Sequence, residues 1–399
     1  MSDWQSLSVG QLSIRVTKGT TPTLSSGGFV GEGVAFVKVE SITAEGLINS
    51  DKLARVSRET HSGQSRSILQ ANDLLFSIAG TIGRVAQVRA HHLPANTNQA
   101  IAIIRPDESK VLPQFLLYSL RDKNRIDDAL SRVVQSVQAN LSLAELSAIP
   151  IELPSLPEQQ AIIEVLGALD DKIAANTKLA GSAFDLASTL YNSNVNSAPV
   201  RAMSEVLNPV LGGTPSRAVT RFWGGDQLWA SAKDVTGAQF GIIHDTVEKI
   251  TALAVSTTKA RPLPAGSVIL TARGTVGAVA RLAKPSAFNQ SCYGFTPDEI
   301  PAGVLYFSIL RAAERAKALA HGSVFDTITM KTFDHLYFPD LNGFEIARVE
   351  AIVSPLLDAI TAASLLNHTL TETRDALLPQ LMSGKLRVRD AEKAVEAVV

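Results

Sequence analysis

Thiols are nearly absent from this chain, since Cys292 is the one cysteine in 399 residues. No internal disulfide can form, which fits a reducing compartment. The opening MSDWQSLSVG lacks the basic region and apolar run of a signal peptide. No uninterrupted apolar stretch of about 18 residues occurs, so a membrane-spanning helix is not expected. We therefore expect a soluble, cytoplasmic protein with no membrane partner.

An excess of either charge is also missing, because 37 Lys and Arg stand against 38 Asp and Glu, giving a net charge of −1. Nucleic-acid-binding domains are often strongly basic. If this chain binds DNA, its cations must cluster on one face, or a partner must supply much of the phosphate contact. The 45% hydrophobic content and the length predict large cores in more than one domain.

Familiar catalytic motifs are absent as well. The sequence contains no Walker loop, and Asn208-Pro209-Val210 is the nearest fragment to the Asn/Asp-Pro-Pro-aromatic motif of amino-methyltransferases. The segment 106–110, PDESK, has adjacent acidic residues that would not converge on one metal, and it reads as a turn. His91-His92 lacks partners at zinc-ligand spacing. We predict no catalytic residue, no metal site and no cofactor.

The dominant positive feature is a long internal repeat. Residues 76–88, FSIAGTIGRVAQV, return as residues 270–282, LTARGTVGAVARL, at an offset of 194 positions. The flanks agree at slowly drifting offsets: Thr21-Pro22 returns as Thr214-Pro215, and Asn98-Gln99 returns as Asn289-Gln290. A period this long indicates a duplicated domain and not a solenoid.

Each copy of the repeat predicts a β-hairpin. A buried strand precedes a Gly-x-x-Gly turn, in which glycine permits positive φ, and a second strand follows. Two interpretations stay open: an ordinary hairpin tip, or a tip that approaches a ligand backbone. Gly-x-x-Gly alone does not separate them, because turns use glycine constantly.

A helical segment with a heptad seam follows each globular half. Apolar or small residues recur at alternating steps of three and four from Ile162 to Leu190 and from Ile346 to Leu381. Each seam contains one asparagine, Asn176 or Asn367, a residue that fixes register at a cost in stability. We predict that the two helices pair antiparallel; the alternative is two amphipathic helices, each packed on its own domain. Pro355 is expected to kink the second helix or to mark its start.

These segments resemble the specificity subunits of type I restriction-modification systems over nearly the whole chain. The resemblance is carried by LPSLPEQQAIIEVLGALDDKIAANTKL (153–179), TRDALLPQLMSGKLRV (373–388) and GGTPSRAVTRFWGGDQLWASAKDV (212–235). The first globular half lacks the Trp-Gly-Gly of the second, and the second helix lacks a Pro-Glu-Gln start. The resemblance implies two target-recognition domains, each reading one half of a split DNA sequence, and no active site of the chain's own.

The predicted fold class is α+β, with two related mixed α/β target-recognition domains separated by two long antiparallel, coiled-coil-like helices in pseudo-two-fold arrangement. We expect a first target-recognition domain, called here the first head, and a second one, called the second head. The predicted boundaries are 1–154 for the first head, 155–197 for a central spacer helix, 198–344 for the second head, 345–386 for a distal spacer helix and 387–399 for a flexible tail.

Candidate DNA contacts are basic or hydroxyl residues near the repeated motifs. Several differ between the heads, as residues that read different bases should: Ala79 aligns with Arg273, Arg84 with Ala278, and Leu24 with Arg217. Shared residues such as Asn98-Gln99 are favoured as internal support, although Asn and Gln also read adenine. The full candidate set is Lys18, Thr20, Thr21, Lys38, Arg84, Arg217, Arg221, Lys233, Arg273 and Thr275.

The predicted function is a non-catalytic subunit that recognises a bipartite, asymmetric DNA site within a type I restriction-modification complex. Its expected partners are double-stranded DNA, two copies of a modification (methyltransferase) subunit and restriction (motor and nuclease) subunits. Two alternatives remain at this point: an enzyme of unrecognised fold that acts on nucleic acid, and an adaptor whose heads bind proteins.

Overall fold

The structure is a computed structural model that describes residues 4–43, 46–122, 125–127, 140–320 and 327–398. The chain divides into two compact units. The first unit comprises residues 1–171 and 370–399, and the second comprises residues 172–369. Each long helix therefore contributes one part to the first unit and the other part to the second.

The first unit holds the first head, which is built around two packed sheets. A four-stranded antiparallel sheet has the order Ser13–Lys18, Ile101–Pro106, Leu74–Ser77, Val85–Gln87. A three-stranded sheet has the order Ala54–Val56, Val34–Val37, Ala95–Thr97, and its last pair is parallel. A separate antiparallel pair joins Gln5–Ser8 to Pro150–Leu153. The strand Leu74–Ser77 is central and fully buried, as its unbroken apolar run predicts.

The second unit holds the second head, which repeats this topology with one additional strand, Ile242–Ile243, paired in parallel with Val279–Leu282. A five-stranded sheet has the order Val210–Leu211, Cys292–Phe295, Val268–Thr271, Val279–Leu282, Ile242–Ile243. A three-stranded sheet has the order Glu248–Ile250, Trp223–Ala230, Ala287–Phe288, and its last pair is again parallel. An antiparallel pair joins Val200–Ala202 to Tyr337–Pro339. The predicted hairpins are present as Leu74–Ser77 with Val85–Gln87 and Val268–Thr271 with Val279–Leu282.

Helices pack on these sheets in both units. The principal helices of the heads are Pro113–Arg121 in the first and Ala302–Ala320 in the second. Shorter α-helices are Arg58–Gly63, Leu143–Ala148, Met203–Val206, Ala232–Gly237 and Ala252–Thr257. The long helices run over Leu156–Val195 and Gly343–Met382, and a last helix covers Val388–Glu396. The mixture of two sheet-bearing heads and long helices confirms the α+β class.

The two long helices contact each other through polar pairs inside an apolar seam. In the second unit, Asn176 Nδ2 donates to Asn367 Oδ1 at 2.9 Å, and Asn367 Nδ2 donates to Thr177 Oγ1 at 3.0 Å. In the first unit, Arg374 Nη1 donates to Asp170 Oδ1 at 2.9 Å. From Asn176 to Asp170 the residue number falls along the first helix, while the partner's number rises from Asn367 to Arg374 along the second. The helices are therefore antiparallel, as predicted.

Two local features of these segments go beyond the sequence expectations. Pro355 does not mark the start of the second long helix, which begins at Gly343 and continues through it. The segment 387–399, expected to be a flexible tail, contains the helix Val388–Glu396, because Ala391 and Val395 lie four residues apart and are both buried.

The helix Gly343–Met382 is the one helix of the described residues that is long and apolar enough to span a membrane by length and composition. Its buried residues also form part of the protein core. Val349, Val353, Leu357 and Ile360 belong to the main cluster of the second unit. Length and composition alone therefore do not separate a spanning helix from a core helix here.

Candidate nucleic-acid interface

The hairpin tip of the first head is closed by one buried hydroxyl. Ser77 Oγ donates to the carbonyl of Thr81 at 2.6 Å and accepts from the amide of Arg84 at 2.8 Å. Gly80 and Gly83 have φ of 74° and 90°, which is the left-handed region that favours glycine. The tip is thus a fixed turn, whose geometry is set by Ser77 and two glycines.

The hairpin tip of the second head uses the same design. Thr271 Oγ1 donates to the carbonyl of Thr275 and accepts from the amide of Ala278 at 2.8 Å. Gly274 and Gly277 have φ of 77° and 82°. The shared residues of the repeat therefore specify the turn, while the side chains that differ are attached to it.

The shared Thr-Pro and Asn-Gln motifs bind each other in both heads. Gln99 Oε1 accepts from the amide of Thr21 at 3.2 Å and from its hydroxyl. In the second head, Gln290 Oε1 accepts from the hydroxyl of Thr214. The Asn of each motif accepts an amide two residues on, at 3.1 Å. These contacts join the two motifs at the surface of each head, because Gln99, Thr214 and Gln290 are exposed and Asn98 and Asn289 are half-buried. Internal support by the Asn-Gln pair stays a prediction.

An exposed aromatic ring with a stacked cation lies on the first head. Phe29 packs edge-on against buried Phe36, with ring centroids 5.2 Å apart. The ammonium of Lys38 lies 4.5 Å from the Phe29 centroid and 3.7 Å from Glu40 Oε1. We call these four residues the first platform.

A corresponding group lies on the second head. Trp223 packs edge-on against buried Trp229, with centroids 5.1 Å apart. The guanidinium carbon of Arg217 lies 3.7 Å from the Trp223 centroid, and its Nη1 and Nη2 both donate to the Glu248 carboxylate. The hydrogen bonds from Arg217 lower the pKa of Glu248, and those to Glu248 raise the pKa of Arg217. We call these four residues the second platform.

The remaining predicted contacts fall into three settings. Arg84 is half-buried and donates to the carbonyls of Val39 and Ile42 at 3.3 and 2.7 Å, so its guanidinium holds a loop of the first head. Thr20 is half-buried, and its Oγ1 accepts from Arg66 at 3.5 Å. The exposed candidates are Lys18 at a strand end, Arg221, Lys233 on the helix Ala232–Gly237, and Arg273 and Thr275 on the second hairpin tip.

Sequence reasoning found the cations of the platforms but missed what they rest on. Phe29, Trp223, Glu40 and Glu248 were not among the candidates. Trp223 stood out in the sequence only as part of a Trp-Gly-Gly fragment. The pairing of Arg217 with Glu248 joins positions 31 residues apart, and no local sequence pattern predicts it.

Cysteine and metal chemistry contribute little to these surfaces. Burial raises the pKa of Cys292 to about 12, as its removal from water disfavours the thiolate. Within the described ranges, His, Cys, Asp and Glu form no group of three that would hold a metal ion.

The repeated heads carry a recognised family signature. Residues 1–180 and 199–340 match the family described as the type I restriction modification DNA specificity domain. The chain belongs to this family. As a specificity subunit, it is the DNA-recognition component of a type I restriction-modification system and is not itself catalytic. The family binds DNA and assembles with other subunits, which sets aside both alternatives drawn from the sequence.

Named relatives agree with this assignment. The chain is similar to the type I restriction enzyme HindI specificity subunit of Haemophilus influenzae, at 22% identity over 473 positions, covering 97% of this chain and 100% of the relative. The MjaIX specificity subunit of Methanocaldococcus jannaschii is 27% identical over 174 residues, covering 43% and 40%. The S subunit from M. genitalium has a similar fold, with a TM-score of 0.58 at 16% identity and coverage of 95% and 96%.

Proposed function

We propose that this specificity subunit reads a split and asymmetric DNA sequence, with one half-site for each head. The supporting observation is that one framework occurs twice with different side chains at its surface. The hairpin turns and Thr–Gln contacts repeat, whereas aligned surface positions differ: Leu24 stands where the second head has Arg217, and Ala79 stands where it has Arg273. Because the two heads share a backbone framework, we expect them to dock on DNA in the same way. Because their surface side chains differ, we expect them to prefer different bases.

Each predicted segment of the chain has its own role in this proposal. Residues 1–154 and 198–344 act as target-recognition domains, and residues 155–197 and 345–386 act as spacer helices. The antiparallel helices offer two similar faces, on which two modification subunits and, through them, restriction subunits assemble. The complex works in the cytoplasm, where its DNA substrate lies.

Exchange of the first head tests this proposal. Residues 1–150 are replaced by the corresponding segment of another specificity subunit, and genome methylation is mapped in cells that also express the modification subunit. The expected result is a new first half-site beside an unchanged second half-site. A change of both halves together, or of neither, contradicts modular reading.

Subunit stoichiometry tests the docking part of the proposal separately. Native mass spectrometry of the purified complex is expected to give two modification subunits for each specificity subunit. A ratio of one to one contradicts two equivalent docking faces. The affinity of the complex for DNA is expected to fall steeply with salt, because phosphate contacts release counterions.

A further inference from the structure

The two platforms share a geometry that folding alone does not require. Phe29 is 45% exposed, although an aromatic ring gains most when buried. The ring of Trp223 is half-buried. The side chain of Arg217 is 57% exposed and that of Lys38 is 30% exposed. Each head thus displays a cation that solvent reaches, held against an aromatic face beside a carboxylate.

The cations of the two platforms come from positions that are not equivalent in the repeat. Lys38 aligns with Ser231, and Arg217 aligns with Leu24, which is 97% exposed. The carboxylates differ too: Glu248 lies opposite Trp229 in its sheet, at the register position that Ala54 takes opposite Phe36. An inherited framework contact would keep its positions, as the Thr–Gln contacts do. Here the same arrangement is rebuilt from different residues.

The chemistry of the arrangement suits a base edge better than a phosphate. The adjacent carboxylate lowers the net charge of each platform, and a phosphate contact draws its strength from the positive charge. Stacking and pairing fix the plane of the Arg217 guanidinium. Two of its five N–H groups go to Glu248, which leaves three for a ligand. The major-groove edge of guanine, with O6 and N7, is the base edge that Arg and Lys recognise best.

We propose that each platform contacts the major-groove edge of one guanine in the half-site of its own head. Lys38 and Arg217 donate to the base, and Glu40 and Glu248 act as positioning residues that hold these cations and repel phosphate. The aromatic rings set the height and plane of the cations. This inference rests on the proposed function, because it assigns base-reading residues to heads that read half-sites.

The test uses the specificity subunit assembled with its modification subunit, and duplexes in which each base pair of the mapped site is replaced in turn. Arg217→Ala is expected to lower discrimination about 10- to 100-fold at one G·C pair of the second half-site. All other positions keep their preference. Lys38→Ala is expected to act in the same way on one G·C pair of the first half-site.

Glu248→Gln separates positioning from a merely structural role. Its expected effects are weaker discrimination at that same G·C pair and tighter binding to unrelated DNA, since the cation is released toward phosphates. Lys249→Ala is the matched control. Lys249 lies on the same strand and pairs with Asp245 at 3.1 Å. The cation–ring contacts of the described residues involve Lys38, Arg121 and Arg217, and not Lys249. Its removal is expected to leave the preference at every position unchanged.

Three results would overturn the inference. The first is unaltered preference in folded Arg217→Ala and Arg217→Lys variants. The second is a loss spread equally over all sequences with a shallower salt dependence, which marks a phosphate contact. The third is a site without guanine on either strand of one half. If wild-type protein recognises a split site but the variants keep full discrimination, only this inference fails. If the wild-type site is not split, the proposed function itself fails.

Discussion

The two heads differ in the group that occupies one buried corner behind the hairpin. In the first head, Asp73 is fully buried and binds Arg105 through both carboxylate oxygens, at 2.7 and 2.9 Å. In the second head, Ser267 takes the same backbone position, and the described residues provide no hydrogen-bond partner for its hydroxyl. The backbone contacts around the corner are the same, because Val88 and Leu282 each donate an amide to it at 2.8 Å.

This difference teaches that the duplicated framework is maintained by the main chain, while its side chains have diverged inside as well as outside. Where both heads use the same contact, equivalent substitutions should destabilise the two heads equally. Where the contact is present in one head only, the equivalent substitutions should destabilise that head only.

The largest effect is expected at an equivalent pair of glycines. A Cβ on Gly19 would lie 2.1 Å from the carbonyl oxygen of Thr97, and one on Gly212 would lie 2.1 Å from that of Asn289. Gly19→Ala and Gly212→Ala should therefore each destabilise their own head by more than about 3 kcal/mol, because backbone must move. Hydrogen exchange measured by mass spectrometry localises the loss.

Gly31→Ala is the control for these variants, since a Cβ there meets no atom within 4 Å. It should change the free energy of unfolding by less than about 0.5 kcal/mol. A mild effect of Gly19→Ala beside a severe effect of Gly212→Ala would show that the two heads do not share this close approach.

A one-sided effect is expected at the buried corner. Asp73→Ala leaves Arg105 without its carboxylate and should destabilise the first head by about 3 kcal/mol. Ser267→Ala removes a hydroxyl without a partner and should change the second head by less than about 1 kcal/mol. Denaturant unfolding with hydrogen-exchange readout compares the two. Equal losses would mean that Ser267 is bonded in solution.

A smaller effect than that of Asp73→Ala is expected where the two long helices meet within the second unit. Asn367→Ala removes the partner of Asn176 and should cost about 2 kcal/mol, because a buried amide is left unsatisfied. Replacement of both asparagines by leucine should restore stability while weakening the preference for one register. Thermal unfolding of the single and double variants provides the measurement. A single variant as stable as wild type contradicts the role assigned to this pair.

Much of the architecture was predictable because it depends on local patterns and on repetition. The Gly-x-x-Gly turns, the heptad seams and their two asparagines follow from residue type and spacing. The helix Val388–Glu396 was missed because its apolar face has only two buried positions. Whether Pro355 starts the second long helix or lies within it depends on the packing around it, which a proline in the sequence does not reveal.

The platforms were only half predictable. Lys38 and Arg217 were candidates because they are cations near repeated motifs, but the same reasoning gave equal weight to Arg84, whose guanidinium binds two carbonyls inside the first head. A basic residue on a strand or loop does not reveal whether it faces solvent or main chain. That depends on which distant segments the sheets bring beside it.

Two related heads and two paired helices follow from the amino-acid sequence, since repetition, periodicity and turn glycines are visible along the chain. Which side chains meet depends on the folded structure. Strand register sets Glu248 opposite Trp229. Arg217 and Phe29 lie outside the strands and reach Glu248 and Phe36 through the tertiary fold. Register is set by the burial of whole sheet faces, a cooperative property that no single stretch of residues contains.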